Sequence, residues 1–194
     1  MMAENFEEMK IGERIKQLRE DQAVSLEDFA RRVGVSPSVM NQIENHLVSP
    51  PLGTLIKIAH ALNISVGDFF GGEKASYTIV RQGEQKKVSR FASKDGINYG
   101  YTYESLGFDM KNRHMEPFLV TLQKSTMEAK SLSSHPGEEF IYVLEGKVLV
   151  QLGDHSDVLN PHDSIYYDAN LLHRVSAHEC EQAKIVAVLW APKE

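Results

Sequence analysis

The sequence predicts two domains, an all-α bundle of five short helices followed by an all-β sandwich or barrel. Three observations carry this. Between residues 10 and 70, apolar side chains recur at helical spacing. The segment "GGEKAS", Gly71–Ser76, then pairs two glycines with small and polar residues, as a linker does. Beyond it come short runs rich in β-branched and aromatic residues, separated by turn formers. A chain of 194 residues has room for both units. The predicted organisation is a flexible tail over 1–9, a helical domain over 10–70, a linker over 71–76 and a β domain over 77–194.

The helices follow in order. Ile11, Ile15 and Leu18 form the first apolar stripe, and Leu26, Phe29, Ala30 and Val33 the second. Val39, Met40 and Ile43 form a third, inward-facing stripe, Leu52, Leu55, Ala59 and Leu62 a fourth, and Val66, Phe69 and Phe70 a short fifth. Ser25 with Asp28 three residues on reads as a capping box. Ser36 before Pro37 reads as an N-cap with proline at the first helical position. Pro50 and Pro51 stand where a fourth helix should begin. In the second half, "YTIV", "NYGYTYESL", "PFLVTLQ", "EEFIYVL", "KVLVQL", "DSIYYD", "HRVSA" and "KIVAVLW" are the predicted strands. Many short strands with regular turns suit a closed or sandwiched sheet.

Composition narrows the function classes. The net charge of −6 argues against a non-specific polyanion binder. No apolar run approaches the ~20 residues that cross a bilayer, so no membrane partner is expected. The start, "MMAENFEEMK", has no apolar core and is not a secretory signal. Cys180 is the single cysteine, which excludes an internal disulfide and fits a reducing cytoplasm.

The sharpest motif is "SLEDFARRVGVSPSVMNQIEN", two helices joined by "VGVS" with Gly34 at the turn. That layout is a helix-turn-helix, whose second helix lies in the major groove. With the apolar stripe facing inward, Pro37, Ser38, Asn41, Gln42 and Asn45 face outward. Asn and Gln amides can bond adenine bidentately, and Ser36 at the helix N-terminus can meet phosphate. Together with "IGERIKQLRE", "SPPLGTLIKIAHALNIS" and "VGDFF", the segment resembles the lambda-repressor-like, XRE-type helix-turn-helix family over residues 10–70. The resemblance implies base reading at Pro37, Ser38, Asn41 and Gln42. It implies phosphate contacts at Ser25, Asn45 and the loop from Ser49 to Thr54. His46 stands where the family ends its recognition helix on glycine, so a positive φ is expected there. Residues 10–71 hold seven basic and seven acidic side chains, so the domain as a whole is not basic.

In the β half, "SSHPGEEFIYVLEG" puts a histidine and two carboxylates before an apolar run that stops on glycine. His135, Glu139 and Gly146 fall at the spacing of the first motif of the cupin family, and "LNPHDSIYYDANLLHRV" resembles the second, with His173 at its histidine. The resemblance implies a double-stranded β-helix, or jelly-roll, barrel and a metal site at His135, Glu139 and His173 for Zn, Fe, Ni or Mn. Three positions depart from the pattern. Ser133 replaces a metal-binding histidine, His162 replaces a turn glycine and Leu172 replaces a proline. The residues themselves leave a second reading open, in which His135 and His173 are donors lining a pocket for a polar ligand. Tyr101, Tyr103, Phe140, Tyr142 and Tyr166 are candidate pocket residues, each alternatively a wall or partner-facing aromatic. Arg113, in "NRHMEPF", is either a carboxylate clamp at the barrel mouth or, by default, part of an exposed charged loop.

Together the two resemblances imply a transcription regulator of the XRE–cupin class. It would act as a homodimer on a palindromic double-stranded operator, with a small-molecule effector in the barrel. The alternative is a metal-dependent cupin enzyme, of dioxygenase or isomerase type, fused to a DNA-binding domain. No nucleophile–base pair and no phosphate loop is visible, so a non-enzymatic regulator is expected.

Overall fold

The computed structural model describes residues 11–48, 50, 52–64, 66–70, 75–88, 101–110, 112–124 and 132–192. The predicted tail, most of the linker and part of the α3–α4 connection lie outside the described residues. Among the described residues, four α-helices come first: α1 (Ile11–Asp21), α2 (Leu26–Val33), α3 (Pro37–Glu44) and α4 (Leu52–Ala61). The expected fifth helix is a 3₁₀ turn, Val66–Phe70.

Local chemistry sets the helix ends. Ser25 Oγ accepts from the Asp28 N–H, and Ser36 Oγ accepts from the Val39 N–H, so both predicted caps form. Gly34 closes α2 at φ 79°, where its N–H and that of Val35 return to the carbonyl of Ala30. His46 takes φ 59° past α3, as the glycine expectation required. Ile15, Phe29, Met40, Ile43, Leu55 and Ile58 are buried between these helices. Val39 is 38% exposed, so it leaves the predicted inward stripe and joins the outer rim of α3.

Among the described residues, nine strands follow: β1 (Lys86–Val88), β2 (Tyr101–Ser105), β3 (Met115–Gln123), β4 (Glu138–Glu145), β5 (Val148–Leu152), β6 (His155–Leu159), β7 (Ser164–Asp168), β8 (His173–Ala177) and β9 (Gln182–Trp190). They form an antiparallel six-stranded sheet, β1-β2-β3-β9-β4-β7, and a three-stranded sheet, β6-β5-β8. Tyr77–Val80, predicted as a strand, takes no regular secondary structure and pairs with no strand among the described residues, and Tyr77 and Ile79 are largely exposed. The strand β6 escaped prediction because His155, Ser156 and Asp157 show no apolar face and are exposed.

Alternation divides the large sheet into two faces. Glu116, Phe118, Val120 and Leu122 of β3, Glu139, Ile141 and Val143 of β4, and Ala183, Ile185, Ala187 and Leu189 of β9 are buried on the inner face. The register puts Glu116, Leu189, Glu139 and Tyr167 in one row across β3, β9, β4 and β7. That row sets where the polar chemistry gathers.

Candidate functional site

The first candidate is the outer face of α3. Ser25, Ser36, Pro37, Ser38, Asn41 and Asn45 are exposed, while Gln42 and Thr54 are half-buried. The side-chain amide of Asn45 donates to both the carbonyl and the side-chain oxygen of Asn41, one turn back. The Asn41 amide nitrogen and the Asn45 side-chain oxygen lie outside this pair, a donor and an acceptor on two exposed residues. The helix is fixed from behind. Arg19 of α1 donates through Nε to Glu44 Oε1 at 2.6 Å and through Nη2 to Oε2 at 2.9 Å, while Nη1 reaches the carbonyl of Val24 at 2.9 Å. Both residues are buried. The carboxylate beside it raises the Arg19 pKa against the cost of burial. Gly12 of α1 lies so close to the end of α3 that a Cβ there would meet the carbonyl oxygen of Ile43 at 2.2 Å. Sequence reasoning missed Gly12, Arg19 and Glu44. The available signal was Glu44, a carboxylate beside Ile43 and one turn after Met40, on the inner side of the helix.

The second candidate lies in the barrel. His135, just before β4, Glu139 on β4 and His173 at the start of β8 come together, all buried, with one ligand atom from each within 4.8 Å of the others. Glu139 Oε2 stands 3.8 Å from His135 Nε2 and 3.9 Å from His173 Nε2. The Tyr167 hydroxyl donates to the same Oε2 at 2.7 Å and orients the carboxylate. Burial first, then the neighbouring Glu139 charge, keeps this phenol protonated. His173 Nδ1 lies 2.8 Å from the carbonyl of Leu171, and His135 Nδ1 lies 3.3 Å from that of Pro136. With Nδ1–H donating to carbonyls, both rings turn an unprotonated Nε2 inward, the tautomer a metal requires. Burial also lowers the His173 pKa, against the opposing pull of the Leu171 carbonyl and Glu139. His135 Nε2 is buried with no hydrogen-bond partner.

An orphaned buried nitrogen aimed at a carboxylate and a second imidazole is the donor set of a divalent transition metal with open positions, and the residues fit such an ion. Ser133 does not enter the set. Its backbone pairs with His173, N to O at 3.0 Å and O to N at 2.7 Å, and so positions the histidine strand. The other two departures are accommodated: His162 takes φ 75° in its turn, and Leu172 is 54% exposed.

The predicted pocket aromatics separate. Tyr103 points inward and is 3% exposed, stacked on the half-buried Tyr101 with parallel rings 6.1 Å apart. The Tyr101 hydroxyl donates to the Val175 carbonyl at 2.7 Å. Phe140, Tyr142 and Tyr166 are corrected. Phe140 and Tyr142 alternate with the buried Glu139 and Ile141, and Tyr166 pairs with Phe140, so all three sit on the outer face of the sheet. Tyr166 is 64% exposed and donates to Glu138. Arg113 is also corrected from its default as an exposed loop residue. Its side chain is buried, donating Nε to Glu116 Oε2 at 2.7 Å and Nη1 to the carbonyls of Met110 and Phe108. His114 beside it is exposed. Arg113 and Glu116 line a cavity of about 700 Å³ between the barrel and α4, with Ile56, His60 and Trp190.

Fold and sites together define a helix-turn-helix module joined to a cupin barrel. A helix-turn-helix family description matches residues 15–69, and a cupin domain description matches residues 118–189. The HTH-type transcriptional regulator PuuR of Escherichia coli is 26% identical over 181 residues, covering 86% of this chain and 93% of that protein. The (S)-2-hydroxypropylphosphonic acid epoxidase of Streptomyces wedmorensis is 26% identical over 190 residues, covering 91% and 93%. The crystal structure of an HTH_3 family transcriptional regulator from Vibrio cholerae shares the fold, with a TM-score of 0.63 at 24% identity over 96% of this chain and 97% of that one. The chain thus joins an N-terminal helix-turn-helix domain to a C-terminal cupin domain.

Proposed function

We propose that the protein binds a palindromic operator as a homodimer, and that its barrel senses a small-molecule effector at a divalent metal held by His135, Glu139 and His173. The observation that carries the DNA half is the open polar face of α3 on a helix anchored by the Arg19–Glu44 pair. One such helix reaches only a few base pairs, and a two-fold dimer doubles the reading. Ser25, Ser36 and Asn45, all exposed, and the half-buried Thr54 are the phosphate partners in this reading, while Pro37, Ser38, Asn41 and Gln42 meet base edges. The effector acts by binding one dimer geometry better than the other. Selection of duplexes from a random pool tests this: wild-type protein enriches a two-fold symmetric sequence. A pool that stays unselected overturns the DNA half.

A second reading has its own support. The likeness to an epoxidase spans nearly the whole chain, and two imidazoles with one carboxylate leave positions open for chemistry. In that reading the same three residues hold a catalytic metal and Tyr167 orients Glu139. Incubation of the iron-loaded protein with small 2-hydroxy acids and phosphonates under oxygen separates the two. Product formation abolished by His173→Ala supports the enzyme, and an absence of turnover supports the sensor.

A further inference from the structure

Alternation gives the large sheet an outer face as well as an inner one. The register aligns Pro117, Val188, Phe140 and Tyr166 in one row of that face, across β3, β9, β4 and β7. The next row holds Leu119, Val186 and Tyr142 and ends on Ser164. Neither row carries a charged side chain on these four strands. On the other side of the first row, Met115 pairs with Trp190, and the two are 62% and 40% exposed. Charge begins at the edges. Glu138 and Asp168 stand at one end of the strands, Lys184 and Glu145 at the other, and Glu104 of β2 stands beside Leu119.

We infer that a second copy of this chain covers this face, so that two barrels pair through the outer faces of their large sheets. The choice of partner rests on the homodimer proposed above, and the choice of surface rests on the sheet. Size agrees. Strands about 4.8 Å apart, with outward residues about 6.8 Å apart along each, give these four strands a footprint of about 500 Å². Single apolar residues are ordinary on a monomer, but a continuous patch approaching that size marks a contact surface. Side chains raise the accessible area above the flat footprint, toward the about 800 Å² per partner of a stable complex. Composition agrees as well. An aromatic and aliphatic centre inside a charged rim is the anatomy of a protein–protein interface. A two-fold axis sets one patch against its own copy, and an uncharged centre meets itself with no like charges opposed. No residue of the patch belongs to α3, so pairing and base reading use different side chains.

Sedimentation equilibrium of the full-length protein, without metal or duplex, is the test. Wild-type protein is expected to be a dimer at micromolar concentration. Val188→Arg puts an unpaired guanidinium of each copy into the contact and is expected to raise the dimer dissociation constant at least about a hundredfold. Tyr166→Ala, a truncation at an exposed position that leaves the barrel folded, is expected to raise it about tenfold. If Val188→Arg fails to fold, Tyr166→Ala and Met115→Ala decide the matter. Asp157→Arg, on the exposed β6 of the small sheet, should leave the constant unchanged. A monomeric wild-type protein overturns the inference, whether the face is then bare or covered by something else. So does a dimer that no variant of the face weakens, or that Asp157→Arg weakens equally. Duplex selection by the same preparations keeps the two proposals apart. Protein that selects a symmetric duplex but stays dimeric in every variant retains the operator and loses this surface. Protein whose dimer the variants break but which selects no duplex does the reverse.

Discussion

The helical half and the barrel each bury charge, and they do so to opposite ends. In the helical half, Arg19 and Glu44 are buried together with two mutual hydrogen bonds and a third to a carbonyl. In the barrel, His135, Glu139 and His173 are buried together with one imidazole nitrogen left without a partner. Burial is the same in kind, and satisfaction is not. A satisfied buried pair fixes one geometry, here the angle at which α3 is presented. An unsatisfied buried donor set keeps its capacity for something that arrives later.

The largest effect should come from breaking the satisfied pair. Glu44→Ala leaves a buried guanidinium without its carboxylate and is expected to cost about 3–5 kcal/mol in denaturant unfolding of the helical half. Arg19→Met with Glu44→Leu should recover much of that loss, since well-packed apolar residues replace such pairs at little net cost. A single Glu44→Ala cost near zero would show that the pair does not hold α3.

Metal addition sharpens the comparison from the other side. Zinc at about 100 times its dissociation constant should stabilise the wild-type barrel by about 2.7 kcal/mol, seen as a raised thermal midpoint. His135→Gln should remove that gain. In chelator-treated protein the same substitution should change stability by no more than about 1 kcal/mol, because Nε2 makes no hydrogen bond and only the Nδ1 contact to the Pro136 carbonyl is at stake. A large cost without metal would make His135 a structural residue instead.

Two smaller effects concern α3. Gly12→Ala forces a methyl onto the Ile43 carbonyl and should cost about 1–3 kcal/mol of stability, with loss of duplex selection as the helix shifts. Asn41→Ala and Gln42→Ala should each weaken specific duplex binding by about 1–3 kcal/mol while thermal unfolding stays unchanged. Equal loss on specific and random duplexes would move these residues from base reading to backbone contact.

Much of the helical half was legible because its signals are local. A serine three residues before the N–H it caps, a glycine at the turn and a histidine in a left-handed position are all short-range facts. The β4 strand was legible too, but not which of its faces looked inward. Phe140 and Tyr142 were assigned to the pocket because aromatics suit either face. Sheet packing put Glu139 inside and turned them out. Arg113 looked like loop charge until the Glu116 carboxylate and two carbonyls enclosed it.

By itself the sequence determined where helices begin and end, where the period changes from helix to strand, and which residue types were on hand for a duplex or a metal. Caps, turns and periodicity act within a few residues, so the chain carries them whatever it later packs against. Only the tertiary structure decided that Arg19 meets Glu44, that His135, Glu139 and His173 converge with one nitrogen unmatched, and that Gly53 of α4 packs against that cluster. Those contacts join segments far apart in the chain, and their energy comes from burial and satisfaction, which exist only once the whole has packed.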